Sequence, residues 1–203
     1  MISIVIPTIR GREEHFERCL TAYRTNTTSE FEIIVERDHP AVGPAWNAGA
    51  ERATGDFLHL TADDLEPQLA WDVPALEAVS RGFMPAPRVL NQLGKLDSCG
   101  LHGVEMEDWA PVPMSVVPFM SRLQWDAIRP VLPIHYFTDN WISWRGERAG
   151  WPTVVRRGFA FTHHWAQHGR GAGMTYDERM RHDQDVFLEA VREAERGAVP
   201  DRD

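Results

Sequence analysis

A short apolar run, ISIVI at residues 2–6, opens the chain and is bounded by Pro7. A run of this length without polar alternation is typical of a strand that is buried on both faces, as in parallel sheets. The next segment places apolar side chains at i, i+3, i+4 and i+7, namely Phe16, Cys19, Leu20 and Tyr23. This spacing predicts an amphipathic helix over residues 12–23.

The same alternation of strand and helix continues to residue 60. A second apolar run covers residues 31–35, and Gly43-Pro44 is expected to open a helix with proline at its first position. Gly55 is expected to cap that helix, and a third strand follows at residues 57–60. The β-α-β-α-β order predicts an α/β fold whose mainly parallel sheet is flanked by helices.

After residue 66 the pattern is weaker. Helices are predicted at 71–81, 139–148 and 176–196, and strands at 154–155 and 159–161. The last helix has a predicted apolar seam of Met180, Phe187, Ala190, Val191 and Ala194. The proline-rich segment 84–132 is predicted to form irregular loops and edge strands. The polar residues 197–203 are predicted to form a frayed tail.

Length and composition limit the classes of function. The 203 residues favour a single domain over 1–203, and 43% hydrophobic content is typical of a globular chain. The balance of 21 Lys and Arg against 30 Asp and Glu gives a net charge of −9, which disfavours nucleic acid as a main partner. Two cysteines and no basic leader or long apolar segment predict a cytoplasmic protein without a membrane span.

Two adjacent carboxylates follow the third predicted strand, in the sequence Thr61-Ala62-Asp63-Asp64. Ligands of open α/β sheets bind outside the carboxyl ends of the strands, where these acids are expected to lie. Mn²⁺ or Mg²⁺ is held by one or two carboxylates together with phosphate oxygens, and adjacent acids repel unless a cation neutralises them. The alternative interpretation is that Asp63 and Asp64 cap a helix or occupy a turn.

Several short motifs occur together in one order over residues 2–66: IVIPT at 4–8 with Arg10, EIIV at 32–35 followed by an acid, GPAWNAG at 43–49, ATGDF at 53–57 and DD at 63–64. In this order and spacing they resemble the nucleotide-sugar-binding half of GT-A glycosyltransferases, especially those of family 2. Residues 67–196 would then form the acceptor-binding and catalytic half.

The resemblance implies a hexosyltransferase-like enzyme. It would move a sugar from a UDP- or GDP-linked donor to a hydroxyl of a glycan, protein or small molecule, with inversion as the family's usual outcome and retention left open. Asp64 would bind the metal and Asp63 the ribose or uridine. The remaining implied donor contacts are Pro7, Thr8, Arg10, Asn47 and the acid after the second strand, which is Asp38 in preference to Glu36.

The sequence departs from the family pattern at three places. Ala62 stands where the usual three-acid motif begins, so that carboxylate is absent or moved. The loop from Asp38 to Gly43 is shorter than usual, and Trp46 replaces the arginine that often precedes the asparagine. These departures concern the base pocket most directly.

A catalytic base is expected near the start of a late helix, and Tyr136-Phe137-Thr138-Asp139-Asn140-Trp141 resembles that place. An inverting transferase needs one base to take the proton of the acceptor hydroxyl while its oxygen attacks the anomeric carbon. Asp139 is the predicted base. The alternative is an ordinary helix cap by Thr138 or Asp139.

Histidines and an arginine near the C-terminus are further site residues. Imidazole binds Mn²⁺ well, and His163 and His164 follow a predicted strand, so their side chains are expected to face opposite sides. One of the two is therefore predicted to reach the metal, with His164 preferred. Arg170, in the glycine-rich segment 169–173, is the predicted phosphate partner on a closing lid.

Two other classes of function remain open. One is a nucleotide-sugar-binding protein of the same fold without turnover, which the missing acid at Ala62 allows. The other is a metal-dependent hydrolase that uses Asp63, Asp64, His163 and His164. Serine hydrolases and P-loop NTPases are excluded because the chain has neither a Gly-x-Ser-x-Gly nor a Gly-x-x-x-x-Gly-Lys-Ser/Thr motif.

Overall fold

A computed structural model describes residues 1–95, 106–164 and 174–197. The strands are β1 Ile2–Thr8, β2 Phe31–Arg37, β3 Phe57–Leu60, β4 Leu65–Pro67, β5 Met84–Asn91, β6 Phe119–Ser121 and β7 Thr153–His163. The helices are α1 Glu13–Asn26, α2 Val42–Arg52, α3 Asp72–Ser80, α4 Arg122–Ile128, α5 Thr138–Arg148 and α6 Tyr176–Gly197. In this part of the chain no helix combines the length and apolar character needed to cross a membrane.

The first sheet has the strand order β2-β1-β3-β6. β1 pairs in parallel with both β2 and β3, and β6 adds an antiparallel edge beside β3. Ile4, Val5 and Ile6 of β1 are fully buried, because neighbouring side chains point to opposite faces and both faces are covered. The predicted buried strand and the parallel β-α-β-α-β order are confirmed.

The second sheet has the order β4-β7-β5 and lies in the half of the chain with the weaker pattern. β7 is a single strand that joins the two predicted segments at 154–155 and 159–161, and its pairing with β5 is irregular between Pro87 and Arg88. Residues 84–91 form β5 at the edge of this sheet, which agrees with the edge strands predicted within segment 84–132. An edge strand tolerates Pro85 and Pro87 because its outer N–H groups need no ladder partner.

The short helix α4 was not predicted from the sequence. Its seven residues are too few for a clear helical periodicity, but its start has a strong local signal. The Ser121 hydroxyl accepts the Gln124 N–H, and the Gln124 side chain accepts the Ser121 N–H, which is a capping box.

Helix α2 presses closely on β1 and on the loop that precedes α5. A Cβ atom on Gly49 would lie 2.3 Å from Cγ1 of Val5, and one on Gly43 would lie 1.9 Å from the Leu132 carbonyl oxygen. The helix begins at Val42, so Pro44 is its third residue and not its first, and Ala53 is the C-cap in place of Gly55. Proline is still acceptable there because the first N–H groups of a helix have no intrahelical acceptor.

Two apolar clusters pack on opposite faces of the first sheet. Ile4 and Ile6 join an aromatic cluster around Trp71, whereas Val5 faces the other cluster, which includes Trp46 and Trp141. The predicted seam of α6 packs against this second cluster through Phe187, Ala190, Val191 and Ala194. The mixed α/β architecture with helices covering the sheets is the one predicted from the sequence.

Candidate active site

The predicted donor residues follow the carboxyl ends of neighbouring parallel strands. β1 ends at Thr8, β2 at Arg37 and β3 at Leu60, and the parallel register places these three ends on one edge of the sheet. The loops after them carry Arg10, Asp38 and the acid pair. This edge is where α/β sheets bind their ligands.

Asp63 is a buried carboxylate with several donors. The Thr8 hydroxyl donates a hydrogen bond of 2.7 Å to Oδ2, and Arg12 Nε donates one of 3.0 Å to the same oxygen. Arg12 Nη2 lies 2.5 Å from Oδ1. Burial raises the pKa of Asp63, and the hydrogen bonds and charge of Thr8 and Arg12 oppose this shift. Thr8, predicted to line the base pocket, thus holds Asp63 in place.

Asp64 lies between Arg12 and the end of β7. Arg12 Nη2 donates a hydrogen bond of 2.9 Å to Oδ2, and His163 Nε2 lies 3.7 Å from that same oxygen. Burial acts to raise the pKa of Asp64, but His163 and Arg12 lower it below the ordinary value of a carboxyl group. Asp64 is therefore held in its charged form, the form that binds cations.

The two histidines have different surroundings, as strand alternation predicts. β4 and β7 pair antiparallel with Leu65 opposite His163, which brings His163 to Asp64. The ring of His164 instead lies beside Glu66, at 2.9 Å from Oε1, and beside Arg18, whose Nη1 is 3.0 Å from Nδ1. Of the two rings, only the imidazole of His163 lies beside the Asp64 carboxylate, whereas the sequence favours His164, which contacts Asp64 through its backbone N–H.

These positions fit a divalent cation that also binds phosphate. Two ligands held at about 2.1 Å from one ion can be at most about 4.2 Å apart, and the Asp64 and His163 atoms satisfy this limit. No cluster of three or more His, Cys, Asp or Glu side chains suited to a metal occurs in ranges 1–95, 106–164 and 174–197. The remaining ligands would have to come from phosphate and water, which is usual for Mg²⁺, and the imidazole suits Mn²⁺.

The repulsion between Asp63 and Asp64, which was one reason to expect a cation, is offset by a side chain of the protein itself. The guanidinium of Arg12 contacts both adjacent carboxylates, so their repulsion is offset without a metal ion. The metal prediction therefore depends on the ligand geometry of Asp64 and His163.

The expected base pocket lies beside the acid pair. Asp38 has a φ of 57°, its N–H donates to the Thr8 carbonyl, and its carboxylate accepts the Arg10 N–H at 3.2 Å. Arg10 and Asp38 are both exposed, so their side chains are accessible to a ligand. Glu36 is buried and pairs with His39 and Arg52, so Asp38 is the accessible acid of the two. Pro7 precedes Thr8 in β1 and is partly buried.

The structure does not bring Asn47 to this pocket. Its side-chain amide donates to the Val131 carbonyl at 2.9 Å and accepts the Val131 N–H at 3.0 Å. Trp46 is buried, and its indole N–H donates to the Thr61 carbonyl, so it has no face free to stack on a base. Trp46 thus fixes the backbone just before the acid pair, and Asn47 fixes the backbone at Val131.

Asp139 lies in the first turn of α5. The preceding loop contacts the first turn of α2, where the Gly43 N–H donates to the Ile134 carbonyl at 3.0 Å, so this loop reaches the edge of the sheet at which α2 begins. The helix N-cap is Phe137, with a φ of 65°, and not Thr138 or Asp139. Burial raises the pKa of Asp139 to about 6, while hydrogen bonds from backbone N–H groups oppose the shift.

Two residues of this region escaped sequence analysis. The sequence indicates no role for Arg12, which lies between the end of β1 at Thr8 and the start of α1 at Glu13. Asp183 is fully buried in α6 and accepts the backbone N–H groups of His135 and Tyr136, at 2.9 and 3.0 Å, and so holds the loop before Asp139. Its signal is an acid three residues after Met180 on the apolar seam of the predicted helix. Arg170 and its glycine-rich segment lie outside the described residues.

Comparison with known proteins shows similarity in fold alone. No protein-family model and no curated protein sequence matches the chain. Among solved structures, TarS of S. aureus matches with a TM-score of 0.66 at 12% identity, over 81% of this chain and 36% of TarS. GalNAc-T7, solved with UDP, GalNAc and Mn²⁺, matches with a TM-score of 0.66 at 12% identity, over 86% of this chain and 45% of its own.

This chain therefore spans less than half of either matched structure. The chain shares the GT-A fold of these two structures.

Proposed function

We propose that this chain is a metal-dependent glycosyltransferase that transfers a hexosyl group from a nucleoside diphosphate sugar to an acceptor hydroxyl with inversion. The observation that carries the proposal is that Asp64 and His163 come together beside Asp63 at the carboxyl edge of a GT-A sheet. GalNAc-T7, whose structure contains UDP and Mn²⁺, supports UDP and Mn²⁺ as the first ligands to test.

The donor would be bound by the loops after β1, β2 and β3. Arg10 and Asp38 would contact the nucleotide base from the exposed side of the pocket, and Asp63 would accept hydrogen bonds from the ribose. Asp64 and His163 would hold a divalent cation, which neutralises the charge that develops on the diphosphate as the sugar leaves. Arg170 stays a proposed phosphate partner.

Asp139 would act as the base. Its carboxylate would take the proton of the acceptor hydroxyl while that oxygen attacks the anomeric carbon from the face opposite the diphosphate. A pKa of about 6 leaves the carboxylate mostly ionised at pH 7 yet basic enough to accept a proton. Asp183 would keep the loop before Asp139 in position through its two backbone hydrogen bonds.

We expect the affinity for UDP to fall by about tenfold or more when divalent metal is removed, because the diphosphate would then face Asp63 and Asp64 without a bridging cation. Isothermal titration calorimetry with UDP, in Mn²⁺ and in EDTA, measures the effect. The Asp126→Asn variant, which changes an exposed acid on α4, is the matched control and should retain the metal dependence. Equal UDP affinities in Mn²⁺ and EDTA would contradict the metal-bridged donor site.

Activity is tested by incubating the protein with several UDP- and GDP-sugars and Mn²⁺, with and without acceptors, and measuring the nucleotide released. Metal-dependent release that acceptors accelerate supports transfer. Tight binding without release identifies a nucleotide-sugar-binding protein. Cleavage of simple phosphodiesters would instead favour the hydrolase.

A further inference from the structure

Arg12 is hydrogen-bonded to the carboxylate oxygen of Asp64 that a metal ion at this site would need as a ligand. Its Nη2 donates to Oδ2 of Asp64, which is the same oxygen that lies 3.7 Å from His163 Nε2. The same guanidinium contacts both oxygens of Asp63. The exposed fractions of the three side chains are only 15%, 5% and 13% for Arg12, Asp63 and Asp64, so little solvent screens these charges.

A divalent cation and Arg12 would compete for Asp64. Both are positive, and an ion bound to Oδ2 would stand within a few ångströms of the guanidinium, where like charges repel strongly. A metal ion without nucleotide must therefore displace a guanidinium that is already paired with two carboxylates.

Arg12 lies at a point of the backbone where a positive side chain is stable only beside negatively charged groups. Arg12 is the N-cap residue of α1, where its carbonyl accepts the Phe16 N–H, and no side-chain cap bond is made. A cation beside a helix N-terminus is disfavoured by the helix dipole, so its side chain depends on negative partners. A diphosphate offers such partners, because a guanidinium binds phosphate oxygens as well as carboxylates in a bidentate manner.

We propose that Arg12 is a latch of the metal site. In the free protein its guanidinium pairs with Asp63 and Asp64 and disfavours binding of a bare divalent cation. When a nucleoside diphosphate binds, the guanidinium leaves the two carboxylates and pairs with phosphate oxygens. The inference rests on the proposed function, since it takes Asp64 and His163 as the metal ligands. Metal and nucleotide then bind cooperatively, because each helps to release Arg12 from the acid pair.

The test is a Mn²⁺ titration of the full chain without nucleotide, in which electron paramagnetic resonance measures the free Mn²⁺ at each point. The Arg12→Gln variant should bind bare Mn²⁺ about tenfold more tightly than the wild type or better. The Arg24→Gln variant has the same net charge but alters an exposed residue of α1, and it should match the wild type. Equal Mn²⁺ affinity in wild type and Arg12→Gln overturns the latch.

An intermediate variant covers the case in which Arg12→Gln does not fold. Lysine keeps the charge but lacks the planar fork that engages two carboxylates together, so Arg12→Lys should bind bare Mn²⁺ with an affinity between those of wild type and Arg12→Gln. An Arg12→Lys variant that folds and binds Mn²⁺ no more tightly than the wild type overturns the latch by itself.

A second arm repeats the titrations in saturating UDP. Wild-type Arg12 should then lie on the diphosphate, so the advantage of Arg12→Gln should disappear. An undiminished advantage in UDP overturns the transfer to phosphate. Failure of the proposed function is a separate result, because it shows as absent UDP binding or as binding of nucleotide sugars without nucleotide release, whereas the first titrations use no nucleotide.

Discussion

Replacing Asp139 with asparagine should lower turnover by about 10²-fold or more and leave the affinity for UDP nearly unchanged. An amide cannot accept the acceptor's proton, and loss of a general base has an effect of this order. Donor binding should persist because Asp139 belongs to α5, whereas the donor residues follow β1, β2 and β3. Steady-state kinetics and a UDP titration measure the two quantities.

The pH dependence of kcat/KM tests whether Asp139 is the catalytic base. Because burial raises the pKa of Asp139 from 3.8 to about 6, its carboxylate gains a proton as the pH falls through about 6, and kcat/KM of the wild type should fall with it. The residual activity of Asp139→Asn should lack this fall. Asp126→Asn, at an exposed acid of α4, should keep the wild-type profile.

Thermal unfolding separates a catalytic role from a structural one. A carboxyl group whose pKa is raised in the folded state destabilises the fold at pH 7, where it is ionised, and this cost disappears as the pH falls through 6 towards 4. Asp139→Asn should therefore melt at the same or a higher temperature at pH 7. Wild-type turnover in this variant would mean that another residue is the base.

Sequence predicted the first half of the fold because its signals are local. The apolar run at residues 2–6 and the spacing of Phe16 to Tyr23 report burial directly, and both agree with the structure. In the second half the prolines indicated edge strands within 84–132 but not their bounds, because Pro85 and Pro87 are acceptable only where the strand lies at the sheet edge, which is a tertiary property. Helix α4 was too short for its periodicity to be seen.

At the site, too, local sequence signals were predictive and contacts between distant residues were not. Adjacent acids after a strand predicted a cluster at the carboxyl edge, but the choice between His163 and His164 depends on the register of β4 and β7, which no local pattern encodes. The contacts of Arg12 with Asp63 and Asp64 join residues 51 and 52 positions apart. Asp183 holds a loop 47 residues away, and only its place on the apolar seam of α6 could have indicated a buried role.

Replacing Asp64, His163 and His164 one at a time should weaken Mn²⁺ binding unequally, because only the first two are proposed metal ligands. With UDP present, Asp64→Asn and His163→Ala should each lower Mn²⁺ affinity by about 10- to 100-fold. The neutral amide of asparagine is a poor ligand, and alanine provides no ligand atom at all. His164→Ala should change the affinity by no more than about threefold, since its ring lies beside Glu66 and Arg18. Calorimetric titration of Mn²⁺ into each UDP-loaded variant gives the three values.

The two histidine variants act as controls for each other. Both remove an imidazole from the end of β7, and both rings are about equally exposed, at 14% and 16%, so a general loss of packing should affect them alike. Melting curves show whether each variant is folded before its affinity is compared. A larger loss for His164→Ala would place the metal next to Glu66. Equal affinities in all the proteins would leave Asp64 and His163 without a role in metal binding and would remove the observation on which the proposed function depends.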